Sequence, residues 1–232
     1  MVSFNNDESR GDDKSAQNDK LVEAVSDCVP ESVLGALFTP KGMDGLVGSG
    51  ANTAPQGEEL FLILVKAKQA IQEGGTSEKL SEISDLVLQG LKSVKNNLLL
   101  SDSLVLTFRD VLGEAPEKIH DLGGMESSHE AIVRARYCHI LGYQPKLVLE
   151  NNLLGTIAGL SSDEEPVVRQ RSVQALGRVL GYLYSPECEF DVKSEKISAL
   201  VGRAKDILLS ARIDTDRTTR RYAQDYLAIL PS

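Results

Sequence analysis

The three histidines, His120, His129 and His139, limit the metal and acid–base chemistry open to this 232-residue chain. Glu130 follows His129, and an imidazole and a carboxylate are both metal-ligating groups. One such pair does not fill a coordination sphere, and no His, Cys, Asp or Glu group in the sequence has zinc-site spacing. The sequence therefore predicts no metal and no cofactor, and a capping or surface role for this pair.

Nucleophilic chemistry at Cys138 is excluded by the position of its neighbour, His139. Adjacent side chains on a helix point about 100° apart, so this imidazole cannot face the thiol as a general base. We expect Cys138 to pack as a small buried hydrophobe. Adjacent acids such as Glu164-Glu165 are better explained by the positive end of a helix dipole than by acid–base catalysis. We therefore expect no catalytic residues and no enzyme.

Charge and composition narrow the classes of partner. The net charge is −9, and residues 1–60 contain eleven acidic and four basic side chains. An acidic chain has no general attraction to a phosphate backbone, so nucleic acid is not an expected partner. The apolar runs are too short for a bilayer, so no membrane is expected. Three widely spaced cysteines fit a reducing compartment, which predicts a cytoplasmic location with a nuclear one as the alternative.

The stretch Asp163–Leu180 indicates the type of element that must position any functional residue. Its acidic start and Pro166 suit the first turn of a helix, where a missing N–H has no cost and negative charge is favoured. Val173, Leu176 and Leu180 recur at three- and four-residue steps, which is the apolar stripe of a core-facing helix. No alternating run of β-branched residues bounded by turns occurs, so we expect no sheet.

This pattern occurs more than once in the chain. A shift of 35 residues places Ile132–Gly142 on Val167–Gly177, and a shift of 51 residues gives a looser match near the C-terminus. A period in this range is typical of stacked helical pairs. The matched positions are Arg134 with Arg169, Arg136 with Arg171, Leu141-Gly142 with Leu176-Gly177, Asp163 with Asp214, and Arg169 with Arg220.

An acidic turn followed by Val-Arg and then by Ala-Leu-Gly resembles the second helix of a HEAT repeat. The resemblance covers about residues 103–230. It implies an all-α fold of the HEAT/ARM, armadillo-like type, a short right-handed α-solenoid of stacked antiparallel helix pairs. It also implies a structural ladder, in which an Asp in each turn bonds helix N-termini and pairs with an Arg of its own or a neighbouring repeat. The ladder residues implied are Asp163, Arg169, Asp214, Arg220 and Arg134.

A second resemblance links His129-Glu130 to the iron-binding His-Glu pairs of the HEAT-type deoxyhypusine hydroxylases. That family uses several such pairs from different repeats. This chain has one, and Val167-Val168 stands near the equivalent place in the next repeat. A metal-dependent HEAT hydroxylase is therefore one alternative function, and a nucleic-acid-binding helical repeat protein is another.

Composition and helical spacing divide the chain into four segments. Residues 1–18 are polar and acidic, and we expect a disordered tail. Residues 19–38 predict short helices, because Pro30 divides two apolar stripes. Residues 39–57 are a Gly/Pro-rich linker without the Gly-Lys-Ser/Thr ending of a phosphate-binding loop. Residues 58–232 are predicted to form the HEAT-like helical repeat domain.

Two helices of this domain have specific expected bounds. One should be capped by Ser101 or Asp102 and continue to Leu112. The other should run without interruption over Lys146–Leu160, because its leucines keep helical spacing throughout.

The function that this sequence favours is a non-enzymatic scaffold or adaptor that binds other proteins, because it supplies a helical framework and no chemistry. Helical-repeat scaffolds present one row of helices, here the second helices at 129–142, 167–182 and 218–229. The chain could be a piece of a larger repeat protein, such as a proteasome adaptor or a tubulin-folding factor. The partner and the oligomeric state stay open. The basic patch near the C-terminus supplies the candidate partner-binding residues Arg212, Arg217 and Arg221.

Overall fold

The computed structural model describes residues 64, 65, 67–69, 71, 76–93 and 98–230. The tail predicted over 1–18, the short helices over 19–38 and the linker over 39–57 lie outside these described residues. Within the described ranges, helices alternate with turns and there is no strand. The prediction of an all-α protein is confirmed for this part of the chain.

Helices make up most of the described chain. None of those in the described ranges is both long and apolar enough to cross a membrane. Residues 64, 65, 67–69 and 71 are helical and precede the first helix with defined bounds. The helices are α1 (Ser77–Ser93), α2 (Leu98–Glu114), a 3₁₀ helix (Pro116–Leu122), α3 (Ala131–Gly142), α4 (Pro145–Glu150), α5 (Leu154–Leu160), α6 (Pro166–Leu183), α7 (Glu195–Ala211) and α8 (Arg217–Ile229).

Local chemistry explains where several helices begin. Pro145 and Pro166 are the first residues of α4 and α6, where a missing N–H leaves no hydrogen bond unmade. Asp216 caps α8, since its carboxylate accepts a hydrogen bond from the backbone N–H of Thr219 at 2.7 Å.

The continuous helix expected over Lys146–Leu160 is wrong, because the chain breaks there into α4 and α5. Asn152 has a φ of 56°, a left-handed conformation that asparagine tolerates better than most residues. The N–H of Leu153 donates to the carbonyl of Val148, and that of Asn152 to Leu149, which is the Schellman pattern of a helix end. Local hydrogen bonding therefore outweighs the leucine periodicity.

The expected cap of α2 at Ser101 or Asp102 is also wrong, because the helix begins at Leu98. Ser101 is a buried interior residue of α2, and its hydroxyl accepts a hydrogen bond from Arg136 Nε at 2.8 Å. A tertiary contact from α3 thus uses the side chain that the sequence suggested for a cap.

The core of the described chain is centred on α6. This helix makes its most extensive contacts with α3 and α8 and also packs against α4, α5 and α7. Each fully buried leucine or valine contributes on the order of 1.5–3 kcal/mol through removal of apolar surface from water. The buried apolar residues of α6 are Val168, Val173, Ala175, Leu176, Val179, Leu180 and Leu183.

Two glycines allow the close approach of helices to either side of α6. A Cβ on Gly142 of α3 would lie 3.0 Å from the Cα of Ala175. A Cβ on Gly177 would lie 2.1 Å from Cγ of Tyr226, so the Tyr226 ring occupies the space over that glycine. The Leu-Gly pairs that repeat in the sequence therefore lie at contacts between successive helices.

Candidate functional site

The turn that precedes α6 is joined to α3 by a bidentate ion pair between an arginine and an aspartate. Arg134 Nε donates to Asp163 Oδ2 at 2.7 Å, and Arg134 Nη2 donates to Asp163 Oδ1 at 2.8 Å. Arg134 Nη1 donates at 2.7 Å to the carbonyl of Ser128, six residues before the arginine. Asp163 Oδ1 also accepts the backbone N–H of Glu165 at 2.9 Å. One guanidinium thus fixes its own turn and the next.

The same arrangement joins α6 to the turn that precedes α8. Arg169 Nε and Nη2 donate to the two carboxylate oxygens of Asp214 at 2.8 and 2.9 Å. Arg169 Nη1 donates to the carbonyls of Asp163 and Glu164, at 2.9 Å in each case. Asp214 Oδ1 accepts the N–H of Asp216 at 2.7 Å. We call the Arg134–Asp163 and Arg169–Asp214 pairs the rungs of the ladder.

The pairing of side chains in the ladder runs between helical pairs. Asp163 and Arg169, six residues apart, meet only through the backbone carbonyl of Asp163, while each carboxylate binds an arginine 29 or 45 residues earlier in the chain. Arg220 donates from Nη1 to the carbonyls of Asp214 and Thr215 at 2.6 and 3.0 Å. It forms no rung with any described residue.

The rungs stabilise the charged forms of their members. Hydrogen bonds from Arg134 hold the pKa of Asp163 below its ordinary value, and those from Arg169 do the same for Asp214. The reciprocal effect raises the pKa of both arginines. All four groups stay ionised near neutral pH, so they are suited to holding a geometry and not to transferring protons.

A second arginine cluster is assembled from α2, the residue that follows α3, and α6. The guanidinium carbon of Arg178 lies 4.1 Å from the ring centroid of Tyr143, and that of Arg109 lies 5.5 Å from the same centroid. Arg171 lies about two helical turns before Arg178 on the same side of α6. Its side chain is 29% exposed and donates a hydrogen bond to Gln174 Oε1 at 2.9 Å. We call Arg109, Tyr143, Arg171 and Arg178 the arginine–tyrosine patch.

The charge of this patch is only partly balanced. Asp110 lies 2.6 Å from Arg109, but the carboxylate nearest to Arg171 is Asp102, at 4.0 Å and 57% exposed. Arg178 has no carboxylate partner among the described residues, and its Nη1 is buried without a hydrogen-bond acceptor. The patch therefore carries positive charge that an external carboxylate could compensate.

His139 lies beside the patch as a neutral side chain. Its ring centroid is 5.2 Å from that of Tyr143, and its Nε2 is 3.4 Å from Arg171 Nη1. Burial, together with the charges of Arg171 and Arg178, lowers the pKa of His139 to about 3. The imidazole consequently adds no charge to the patch near neutral pH.

The sequence pattern did not separate the patch from the core. Arg136 and Arg171 occupy matching positions, yet Arg136 is buried and donates to Ser101 Oγ and to the carbonyl of Leu91. The signal that could have found the patch is the polar stripe Arg171, Gln174 and Arg178, whose steps of three and four place them on one helical face.

The arginines proposed from the sequence for partner binding lie near the end of the chain's described part. Arg212 follows α7, Arg217 begins α8, and both side chains are exposed. Arg221 is 67% exposed, with Asp225 Oδ2 at 4.0 Å. Their exposure is compatible with contact to a partner, and so the prediction stands beside the arginine–tyrosine patch as a second surface.

The residues considered for catalysis and metal binding are placed as follows. Cys138 is fully buried, and burial raises the pKa of its thiol. His129 is exposed, and its carbonyl accepts a hydrogen bond from Arg134 at 3.3 Å. Nowhere in the described ranges do three or more His, Cys, Asp or Glu side chains form a group that could hold a metal ion.

No model of a known protein family matches this sequence, and no curated protein matches it at a significant level.

Proposed function

We propose that this protein is a non-enzymatic cytoplasmic scaffold or adaptor of HEAT/ARM-like repeats that binds an acidic segment of another protein. The observation that carries the proposal is the arginine–tyrosine patch, where Arg178 is stacked on Tyr143 without a carboxylate partner among the described residues. Partner aspartates and glutamates would hydrogen-bond the partly exposed Arg171 and neutralise the positive charge that Arg178 adds beside it.

The HEAT-like part of the proposal is supported by the ladder. Two rungs with the same donor atoms, the same pair of backbone acceptors and the same Asx-type turn link successive helical pairs. A right-handed solenoid of antiparallel pairs repeats one interface along its axis, which requires such recurring geometry. Helices α2, α3, α6 and α8 would then form one row, and the patch would lie across three of its members.

Charge and side-chain chemistry favour an acidic protein segment over a nucleic acid. Tracking of a phosphate backbone requires an extended basic stripe, and this chain has a net charge of −9 with three arginines in the patch. Arginine forks match carboxylates in a bidentate manner, and a tyrosine adds apolar area beside them. A short acidic peptide is the smallest ligand that uses all of these groups.

The test measures binding of a fluorescein-labelled glutamate-rich peptide to the full chain by anisotropy. Arg178→Ala and Arg171→Ala should each weaken binding about tenfold, because a hydrogen bond to a charged group contributes about 1.5–3 kcal/mol. Arg203→Ala is the matched control, an exposed arginine outside the patch, and should bind as wild type does. Thermal melting of each variant checks that the fold is retained.

Two results would contradict the proposal. Equal binding by wild type and by both patch variants would remove the patch as the site. Tighter binding of a labelled single-stranded RNA than of the peptide, with a steep dependence on salt, would favour the nucleic-acid alternative.

A further inference from the structure

Arg220 is a third arginine at a ladder position. Its own turn holds it in place, but no aspartate of the described chain pairs with it. Arg220 bonds the carbonyls six and five residues before it, as Arg134 and Arg169 do. In the two complete rungs this contact leaves Nε and Nη2 directed at an aspartate of the next helical pair. In the described chain, no carboxylate meets Nε or Nη2 of Arg220.

The residue after Arg220 extends the same register. Arg221 stands 51 positions after Gln170, whose Nε2 donates to Asp216 Oδ1 of the next pair at 3.0 Å. Arg169 and Gln170 therefore donate hydrogen bonds to the two carboxylates of the turn Asp214-Thr215-Asp216. Arg220 and Arg221 stand in the register of Arg169 and Gln170, so they are placed to bind a turn with acids at its first and third positions.

On α7 and α8, one apolar and one small residue stand at positions whose counterparts in α5 and α6 contact the next helical pair. Leu209 of α7 stands 51 positions after Ala158, which is buried and lines a narrow cleft with Ala204 of α7. Leu209 itself is 50% exposed. Ala228 stands in the register of Gly177, where the next helix approaches closely, and it is exposed. The two arginines, the exposed leucine and the exposed alanine therefore all belong to one face of α7 and α8, the face that corresponds to the contact surface of α5 and α6.

This face is more polar than the interfaces inside the chain. Gln224 stands in the register of Val173, a fully buried core residue on the stripe between Gln170 and Gly177. A polar residue at that position suits an association that can form and separate, since such interfaces are more polar than permanent ones.

We infer that Arg220, Arg221, Leu209 and Ala228 form a docking surface for a helical pair of a different polypeptide, whose inter-helix turn has the sequence Asp-x-Asp or Asp-x-Glu. Charge complementarity defines this turn, because the two rungs show what an arginine so placed binds. A second copy of this chain is a poorer occupant, since Asp163 and Asp214 are already held in its own rungs. The surface is separate from the arginine–tyrosine patch and does not depend on the function proposed there.

The first test uses a labelled peptide of this chain's own residues 185–230. The peptide carries α7, α8 and the Asp214-Thr215-Asp216 turn, and it lacks Arg169. It should bind the full chain, and the double variant Arg220→Ala/Arg221→Ala of the full chain should weaken its Kd about tenfold or more. Replacing both aspartates of the peptide by asparagine should have a similar effect, whereas Arg203→Ala in the full chain, at an exposed arginine outside this surface, should have none. Equal binding by the double variant, or by the asparagine peptide, would overturn the inference.

The second test removes any dependence on the peptide folding alone. The same residues are fused to the C-terminus of the full chain, where the tether raises their effective concentration. Arg220→Ala should then lower the Tm by about 2–4 °C more in the fused chain than in the natural chain. Equal shifts in both chains, or separate melting of the added pair, would show that the surface does not accept a helical pair.

Discussion

At the scale of single residues, arginine has three different tasks in this molecule. Arg136 is buried and ties α3 to α1 and α2, Arg169 spans two turns in a rung, and Arg178 stacks on Tyr143 with uncompensated charge. The side chain is the same in each case, so the difference arises from the acceptors that surround it. Each surrounding predicts a different response to substitution.

Removal of a rung arginine should destabilise the fold. Arg169 is 13% exposed and supplies hydrogen bonds to one carboxylate and two carbonyls. Arg169→Ala leaves these acceptors without their donor, and we expect a loss of about 1–3 kcal/mol in the free energy of unfolding, measured by urea denaturation. Arg217→Ala, at an exposed position, is the control and should change it by about 0–0.5 kcal/mol. Equal stability of the two variants would mean that the rungs do not hold the helical pairs together.

His139 should make stability depend on pH. Its pKa is about 3 in the folded chain, below the value of about 6.5 expected when unfolded, so the unfolded chain binds a proton that the folded chain does not. The free energy of unfolding should therefore fall as the pH is lowered from about 6.5 towards about 3, by up to about 1.4 kcal/mol per pH unit. His139→Gln should flatten this dependence.

The pH window distinguishes this histidine from the rungs. Asp163 and Asp214 have lowered pKa values, so their contribution is complete above the unfolded value of about 3.9 and is lost only below it. Denaturation at about pH 4.5–6 therefore reports mainly on His139. The exposed His129 provides the control variant, His129→Gln, and a slope that changes equally in both variants would contradict the assignment.

At the scale of elements, the spacing between helices is set by small residues at their contacts. Gly177 gives its space to the Tyr226 ring, whereas a Cβ on Gly181 of the same helix would meet no atom within 4 Å. These two glycines of α6 form a matched pair that separates packing from helix propensity.

Gly177→Ala should destabilise the protein, and Gly181→Ala should not. In the first variant the added methyl group overlaps Tyr226 and displaces it or α8, at a cost of about 1–3 kcal/mol. In the second variant only the backbone changes, and alanine in a helix is favoured over glycine by about 0.5–1 kcal/mol. Differential scanning calorimetry should give Tm shifts of opposite sign, and shifts of the same sign would show that α6 and α8 are not packed as described.

At the scale of the whole molecule, stability should be highest at α6 and lower towards α8. Helix α6 is covered by α3 on one side and by α8 on the other, while α8 makes its main contacts with α6 and α7 among the described elements. In a structure whose units contact mainly their neighbours, local opening is easiest where a neighbour is missing.

Hydrogen exchange should show this gradient. Backbone amides of α6 should exchange most slowly, and those of α8 faster. Leu176→Ala, which empties a fully buried site, should lower the free energy of unfolding by about 2–5 kcal/mol and reduce protection in α3 and α8 alike. Equal protection of α6 and α8 in the wild-type chain would argue against a gradient, and a local effect confined to α6 would argue against cooperative stacking.

The sequence alone determined the local features of this protein. Helical periodicity and the absence of strand patterns predicted the all-α class, because the 3.6-residue repeat depends only on neighbours along the chain. Proline and acidic residues likewise indicated the start of α6, and the recurring Asp and Arg positions marked the turns. The same local reasoning failed at Asn151-Asn152, where a hydrogen-bonded turn competes with helix periodicity over a few residues.

Only the tertiary structure decided which side chains meet. The sequence placed Asp163 six residues before Arg169, yet its carboxylate binds Arg134, 29 residues away, because the turn faces the preceding helical pair. The arginine–tyrosine patch brings together Arg109 of α2, Tyr143 at the end of α3 and Arg178 of α6. Such contacts depend on the distance and angle at which helices pack, which here follow from glycines and buried side chains at non-local interfaces. Residue spacing along one helix carries no information on either quantity.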